Sequence, residues 1–231
     1  MFVNNLPLPI KQLGYWLCVA IMVVALKQFY SAATAAQLQW QLYPLVIVLE
    51  ALSDLLFEPT ANGEWLDPIH HISIVKACAG INFLIISLLG YCWLWRDRPM
   101  PLWVLIRALV LAWLTALLAN SLRILLCIYA QAPLAILIGS TEATSHRLIG
   151  IAVYFSCLWI QLSALGVQRF RQMAVVAALI YLGVSLLIPV FRACLLGSAL
   201  PSLQHVFWVI GIPVFVQIIC LLPKISRIHD Y

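Results

Sequence analysis

The stretch LWVLIRALVLAWLTALLANSLRILL, residues 102–126, carries Arg107 near one end and Asn120 and Arg123 near the other, with only apolar residues and Thr115 between them. A bilayer's hydrocarbon core needs about 20 helical residues to cross. Polar and apolar residues do not alternate along the stretch, so it reads as a spanning helix and not as a barrel strand. Comparable runs lie at 74–95, 148–166, 173–190 and 206–222. The whole chain agrees with them: 65% of its 231 residues are hydrophobic, 9% are charged, and the mean hydropathy is +1.04. That leaves too little polar surface to cover a water-soluble globule. The expected fold is an all-α polytopic integral membrane bundle of about six or seven transmembrane helices, plus an amphipathic or re-entrant N-terminal helix. No repeat or composition shift divides it, so residues 1–231 read as a single membrane-embedded domain.

Charge orients the bundle. Arg96 with Arg98, Arg169 with Arg171, and Lys224 with Arg227 fall in every second loop. The positive-inside rule puts those loops and the C-terminus in the cytoplasm. Arg107 can snorkel to the same surface. The stretch before Ile74 and the loops 127–147 and 191–205 then face outward, carrying Glu50, Asp54, Glu58, Glu64, Asp67 and Glu142. Lys76, Arg123, Arg147 and Arg192 run against the rule and call for another reason. The net charge of +5 reports loop topology, so lipids and not nucleic acid are the expected surroundings.

Toward the N-terminus, residues 13–26 form a span without a small-residue cleavage site and read as an anchor. Residues 44–57 are too short and too acidic for an ordinary span. A re-entrant or amphipathic helix there gives six spans, and a crossing helix gives seven. Residues 58–73, rich in Pro, Gly, Asn and Asp, read as an outer loop.

Seven cysteines are scattered singly with no CxxC spacing, which marks most of them as small core residues. Cys78 differs in its surroundings. On this topology it lies in the first turn of the 74–95 helix, about one turn below the outer surface. Asn120 and Arg123 share a helix face at i, i+3 near that surface, and His146 immediately precedes the 148–166 helix. A thiol, a guanidinium and an imidazole at one depth are the parts of a cysteine acyl-transfer site. Each has a quieter explanation: Arg123 as a snorkelling cation, His146 as surface decoration, Asn120 as an interhelical hydrogen-bonding group. His70 and His71, near Glu64 and Asp67, raise the question of a metal. Adjacent histidines diverge and no HExxH follows, so no metal and no cofactor is expected.

Ala77-Cys78-Ala79-Gly80-Ile81, Ala119-Asn120-Ser121-Leu122-Arg123-Ile124, and His146 followed by Gly150 resemble, in order and spacing, the three signature regions of the exosortase and archaeosortase family. The likeness covers residues 74–155; beyond them only hydropathy is shared. Histidine in the third region is similar to the bacterial exosortase branch, its K type included. Lys76-Ala77-Cys78-Ala79-Gly80 departs from the commoner acidic-Ala-Cys-Ser-Gly wording.

The resemblance implies a membrane cysteine protease or transpeptidase that processes C-terminal sorting signals of exported proteins through a thioester. Cys78 would be the nucleophile. Arg123 would support the thiolate and the oxyanion, and His146 would be the general acid and base. Asn120, Lys76, Asn82 and His71 are the expected substrate contacts. The expected partners are exported proteins ending in a short motif, an apolar helix and a basic tail, with water or an amine, glycan or lipid as acceptor. The expected location is the bacterial inner membrane, with the active site facing the periplasm. A small-solute transporter and a non-catalytic assembly subunit stay open as alternatives.

Reporter fusions test the orientation directly. Fusions after residues 97, 170 and 231 should report cytoplasm, and fusions near 65, 140 and 200 the outside. A cytoplasmic signal at 140 would put His146 across the membrane from an outer site.

Overall fold

The computed structural model describes residues 8–96, 102–139, 141–165, 170–197, 200 and 202–226. The chain is mostly helical. Among the described residues, five helical stretches are long and apolar enough to cross a membrane: Leu13–Ala32, Lys76–Leu94, Trp103–Leu137, Glu142–Ser163 and Met173–Phe191. A shorter apolar helix covers Leu203–Ile218. Arg98, Arg169 and Arg227, and the side chains of Arg171, Arg192, Cys220 and Lys224, lie outside the described residues.

The chain divides into two compact units, Met1–Ser121 and Leu122–Tyr231, with the boundary inside one continuous helix. The first unit begins with α1 (Leu8–Ala32) and α2 (Gln39–Leu52). Three short strands follow, β1 (Glu58–Pro59), β2 (Trp65–Asp67) and β3 (Ile72–Ile74), then a 3-10 turn (Lys76–Ala79) and α3 (Ile81–Leu94). The first part of α4 (Leu102–Leu137) completes it.

Its core is built from α1, α3 and α4. Tyr15, Val19, Leu88, Tyr91, Cys92, Ala108 and Ala112 form one buried cluster, and the Tyr15 hydroxyl donates to the Cys92 carbonyl at 2.9 Å. Ala108, Ala112 and Ala116 recur at four-residue spacing and are buried. Such a small-residue stripe lets backbones approach closely where no hydrophobic force drives helices together in lipid. At the same, C-terminal end of α3, the Arg96 guanidinium lies 4.1 Å from the Trp93 ring and that of Arg107 lies 5.3 Å from the Trp95 ring. Arginine held over tryptophan is an arrangement suited to a membrane interface.

Helix α2 begins earlier than the 44–57 expected and ends before Ser53. It buries Leu42, Leu45, Val46 and Leu49, while Trp40, Tyr43 and Ile47 are exposed, so its outer face is apolar. Glu50, which argued against a span, accepts the Phe57 N–H at 2.8 Å and tethers the chain leaving the helix.

Residues 58–73 are not a plain loop. With Ile74 they hold a three-stranded antiparallel sheet in the order β1-β2-β3, pairing Trp65 with Ile74 and Asp67 with Ile72. The turn between β1 and β2 sits on the start of α2. Gly63 has φ +77°, and a Cβ there would stand 2.6 Å from the Ala36 backbone, so only glycine fits. Trp65 Nε1 donates to Gln39 Oε1 at 3.0 Å and ties the sheet to the same helix.

Asp67 anchors the far side of this sheet. Its side chain is buried. One carboxylate oxygen accepts the N–H groups of Ile69 and His70 at 2.9 and 2.8 Å, and the other takes the Leu56 N–H and the His70 ring at 3.0 Å each. Burial alone would raise its pKa. The four hydrogen bonds to the charged form outweigh that and bring it down to about 2.

In the second unit, α4 continues unbroken to Leu137, and α5 starts at Glu142. The outer loop expected at 127–147 is therefore mostly helix. Residues 127–132 contain no breaker, and the helix passes Pro133 before Gly139, at φ +60°, turns the chain. The loop expected at 191–205 shrinks likewise. α6 (Phe170–Leu182) runs through a π turn (Gly183–Leu187) into α7 (Ile188–Leu196), which Gly197 ends in the left-handed conformation. α8 (Leu203–Ser226) follows. Helix α5 packs against α6 and α8. Phe155 meets Tyr181 edge-on at 5.5 Å, and Gln217 of α8 donates to the Ala174 carbonyl at 3.1 Å.

The Asp67 anchor has a pH signature. Its folded pKa lies below the ordinary 3.8, so its stabilisation is complete above about pH 4 and disappears as pH falls toward 2. Thermal unfolding in detergent should lose this component across that window in the wild type, whereas Asp67→Asn should start lower and show a flatter profile there. An unchanged profile in the variant would remove Asp67 from its anchoring role.

Candidate functional site

Cys78 occupies the 3-10 turn, not the first turn of the α-helix as expected. Its N–H donates to the Val75 carbonyl at 2.8 Å, and α3 starts afresh after Gly80, whose carbonyl accepts from Phe83 and Leu84. Placing Cys78 at a helix N-terminus to stabilise its thiolate is thus corrected: the α3 dipole begins beyond it. Gly80 is the cause of the break. Its φ of +66° is left-handed, a conformation that continues no right-handed helix.

The first two sequence motifs meet at this turn. Asn120, fully buried on α4, donates its Nδ2 hydrogen to the Cys78 carbonyl. A Cβ on Gly80 would lie 2.9 Å from Asn120 Cγ, so glycine serves both the turn's backbone angle and the approach of the amide. Cys78 itself is half-buried, and α2 packs against the turn that carries it.

Cations flank the turn. Lys76 Nζ donates to the Ser31 carbonyl at 3.2 Å and lies 5.2 Å from the Tyr30 ring centroid, so it is held toward the end of α1. Asn82 Oδ1 accepts from Lys27 Nζ at 2.7 Å. Sequence reasoning missed Lys27, because a lysine near the end of a span reads as a snorkelling residue. The pairing with Asn82, distant in sequence, left no local signal. His71 is exposed in the turn between β2 and β3 at φ 55°, while the His70 ring is committed to Asp67.

The second unit holds the other two candidates. Arg123 is half-buried, with its guanidinium carbon 5.6 Å from the Tyr154 ring and its Cδ 3.5 Å from the position a Cβ on Gly150 would take. Its Nε is buried and has no hydrogen-bond partner among the described residues. His146 was expected in a loop but lies on α5, in its second turn, and is exposed. Its helix begins at Thr141, whose Oγ1 accepts the Thr144 N–H at 3.3 Å and whose carbonyl accepts from Ser145. This is an N-cap that starts the helix before His146.

His146 Nδ1 lies 3.2 Å from Gln131 Oε1. With that oxygen accepting, Nδ1 carries the proton and Nε2 keeps its lone pair, the tautomer a general base needs. The Arg123 guanidinium also acts on His146 electrostatically. Gln131 was invisible in the sequence because 127–147 read as a loop; only the extension of α4 gives it a fixed place.

Within each unit, then, residues from two motifs are brought together: Cys78 and Gly80 with Asn120 in the first, Arg123 with His146 and Gly150 in the second. Comparison with known proteins finds no matching family model, no matching curated protein and no matching solved structure.

The contact between Gly80 and Asn120 gives a measurable coupling. Gly80→Ala should destabilise the protein through left-handed strain of about 1–2 kcal/mol and through the clash with Asn120. In an Asn120→Ala background the 2.9 Å clash with Cγ is removed and only the 3.2 Å approach to Cβ stays, so Gly80→Ala costs less there. Equal costs in both backgrounds, measured by unfolding in detergent, would mean the two side chains do not meet.

Proposed function

We propose that this chain is a polytopic membrane cysteine peptidase or transpeptidase of the exosortase kind, acting on the C-terminal tails of exported proteins at the outer face of the bacterial inner membrane. The single observation that carries the reading is the hydrogen bond from Asn120 to the Cys78 carbonyl over Gly80. It joins two motifs that the resemblance treats as parts of one site, and neither helix packing nor topology requires that particular contact.

The chemistry follows from the residue types. The Cys78 thiolate attacks the scissile carbonyl carbon, and its Sγ forms the new bond as the carbonyl becomes an oxyanion. Arg123, whose Nε has no hydrogen-bond partner among the described residues, is suited to meet that charge. Collapse of the intermediate breaks the C–N bond, and His146 delivers to the leaving amine the proton it took from the thiol. The thioester then passes to water, giving hydrolysis, or to the amine of an acceptor, giving transpeptidation. No cofactor enters the scheme.

The substrate's own build suits such a site. A basic tail is retained inside by the rule that orients the enzyme's loops, and an apolar helix carries the preceding motif to the outer interface. Asn120, Lys76, Asn82 and His71 are the residues assigned to hold it there.

Two substitutions test the scheme together. With an exported reporter bearing a polar motif, one apolar helix and an Arg-rich tail, Cys78→Ala should abolish processing without loss of protein, while the other cysteines are dispensable. Arg123→Lys keeps the charge but loses the planar fork, and should fall by about 10²–10³-fold if the guanidinium stabilises the oxyanion. Full processing by Cys78→Ala, read by mass spectrometry of the released product, would refute covalent catalysis. Near-wild-type turnover by Arg123→Lys would return Arg123 to an interfacial role.

A further inference from the structure

Gln41 is 0% exposed, and neither its Nε2 nor its Oε1 has a hydrogen-bond partner among the described residues. An amide brings two donors and two lone pairs, and leaving them unmet in an apolar interior is costly. The rest of its helix face is aliphatic: Leu38, Leu42, Leu45, Val46 and Leu49 are all buried at 1% exposure or less. A methionine or leucine would fill the same space at no polar cost. Gln39, two residues earlier, shows how this fold treats an amide it uses structurally. Its Nε2 donates to the Ala35 and Gly63 carbonyls, and its Oε1 accepts from Trp65.

The unmet amide sits on α2, the helix packed against the 3-10 turn that holds Cys78. A side-chain amide is complementary to a peptide group, offering a donor to its C=O and an acceptor to its N–H. Arginine or lysine would suit an anion, and a hydroxyl would offer less. We propose that Gln41 is a substrate-contacting residue that takes the backbone of the peptide as it enters between α2 and the Cys78 turn, whatever that peptide's side chains. This rests on the cysteine peptidase reading. Because Gln41 is closed from solvent, binding includes the parting of α2 from the turn, and the hydrogen bonds gained by the amide offset part of that displacement.

The test uses the full chain in detergent with the tailed reporter as the probe. Gln41→Met and Gln41→Leu should unfold at or above the wild-type temperature, since an unmet polar group is removed. Their KM for the reporter should rise by about tenfold or more, with kcat changed less, as expected for loss of hydrogen bonds to a bound backbone. In a Cys78→Ser background, which binds without turnover, the reporter should raise the unfolding temperature less when Gln41 is also replaced. A wild-type KM in both variants overturns the proposal. So does a lower unfolding temperature with unchanged KM, which would identify Gln41 as the ligand of a buried structural water. Processing by Cys78→Ala would instead sink the peptidase reading itself, so the two failures are told apart.

Discussion

A primary amide buried in an apolar bundle is costly to leave unpaired, and Asn120 finds the carbonyl of Cys78. Much of the first unit's local geometry follows from that bond. The carbonyl is free to accept because the chain at Lys76–Ala79 is a 3-10 turn rather than an α-helix. The turn closes because Gly80 reverses into the left-handed region, and α3 restarts from the Gly80 carbonyl. The Gly80 reversal and the Asn120 hydrogen bond together fix where α3 begins. They hold the nucleophile candidate in a backbone conformation independent of that helix, which is how a reactive side chain is kept rigid without being part of the packed core.

The helical class and most of the long apolar runs were legible in composition and hydropathy, since lipid-compatible sequence has few alternatives. Cys78, Asn120, Arg123 and His146 were legible as candidates because polar residues stand out against apolar runs. Their backbones were not. Hydropathy cannot distinguish a helix start at Ile74 from one at Ile81, and the break depends on one glycine's angle and one distant amide. The sheet at 58–74 was hidden because its strands are only two or three residues long and pair across turns rich in breakers. The loop at 127–147 misled for the opposite reason: a span of ordinary length ends at 126, while the backbone simply continues helically through Gln131 and Pro133. Lys27, Gln41 and Gln131 were passed over because each draws its meaning from a partner, or the want of one, that no spacing rule reaches.

The buried and half-buried polar side chains fall into two groups. Asp67, Asn120 and Gln39 are fully engaged in structural hydrogen bonds. Gln41 and the Nε of Arg123 are buried without such engagement among the described residues. A fold that satisfies the first group this completely carries the second as an expense, and unmet polar groups of that kind persist where a ligand completes them.

The length of α4 has a consequence of its own. At 1.5 Å per residue, Leu102–Leu137 extends about 54 Å, against roughly 30 Å of hydrocarbon in a bilayer. Measured from its first residue, Asn120 stands about 27 Å along the axis and Arg123 about 32 Å. In an untilted helix entering at Leu102, the amide falls at the far edge of the hydrocarbon and the guanidinium just past it. The last turns, with Gln131, then project among headgroups and water. Were α4 to cross a bilayer in this way, it would act as a ruler: a thicker membrane would bury the Arg123 charge and a thinner one would hydrate it.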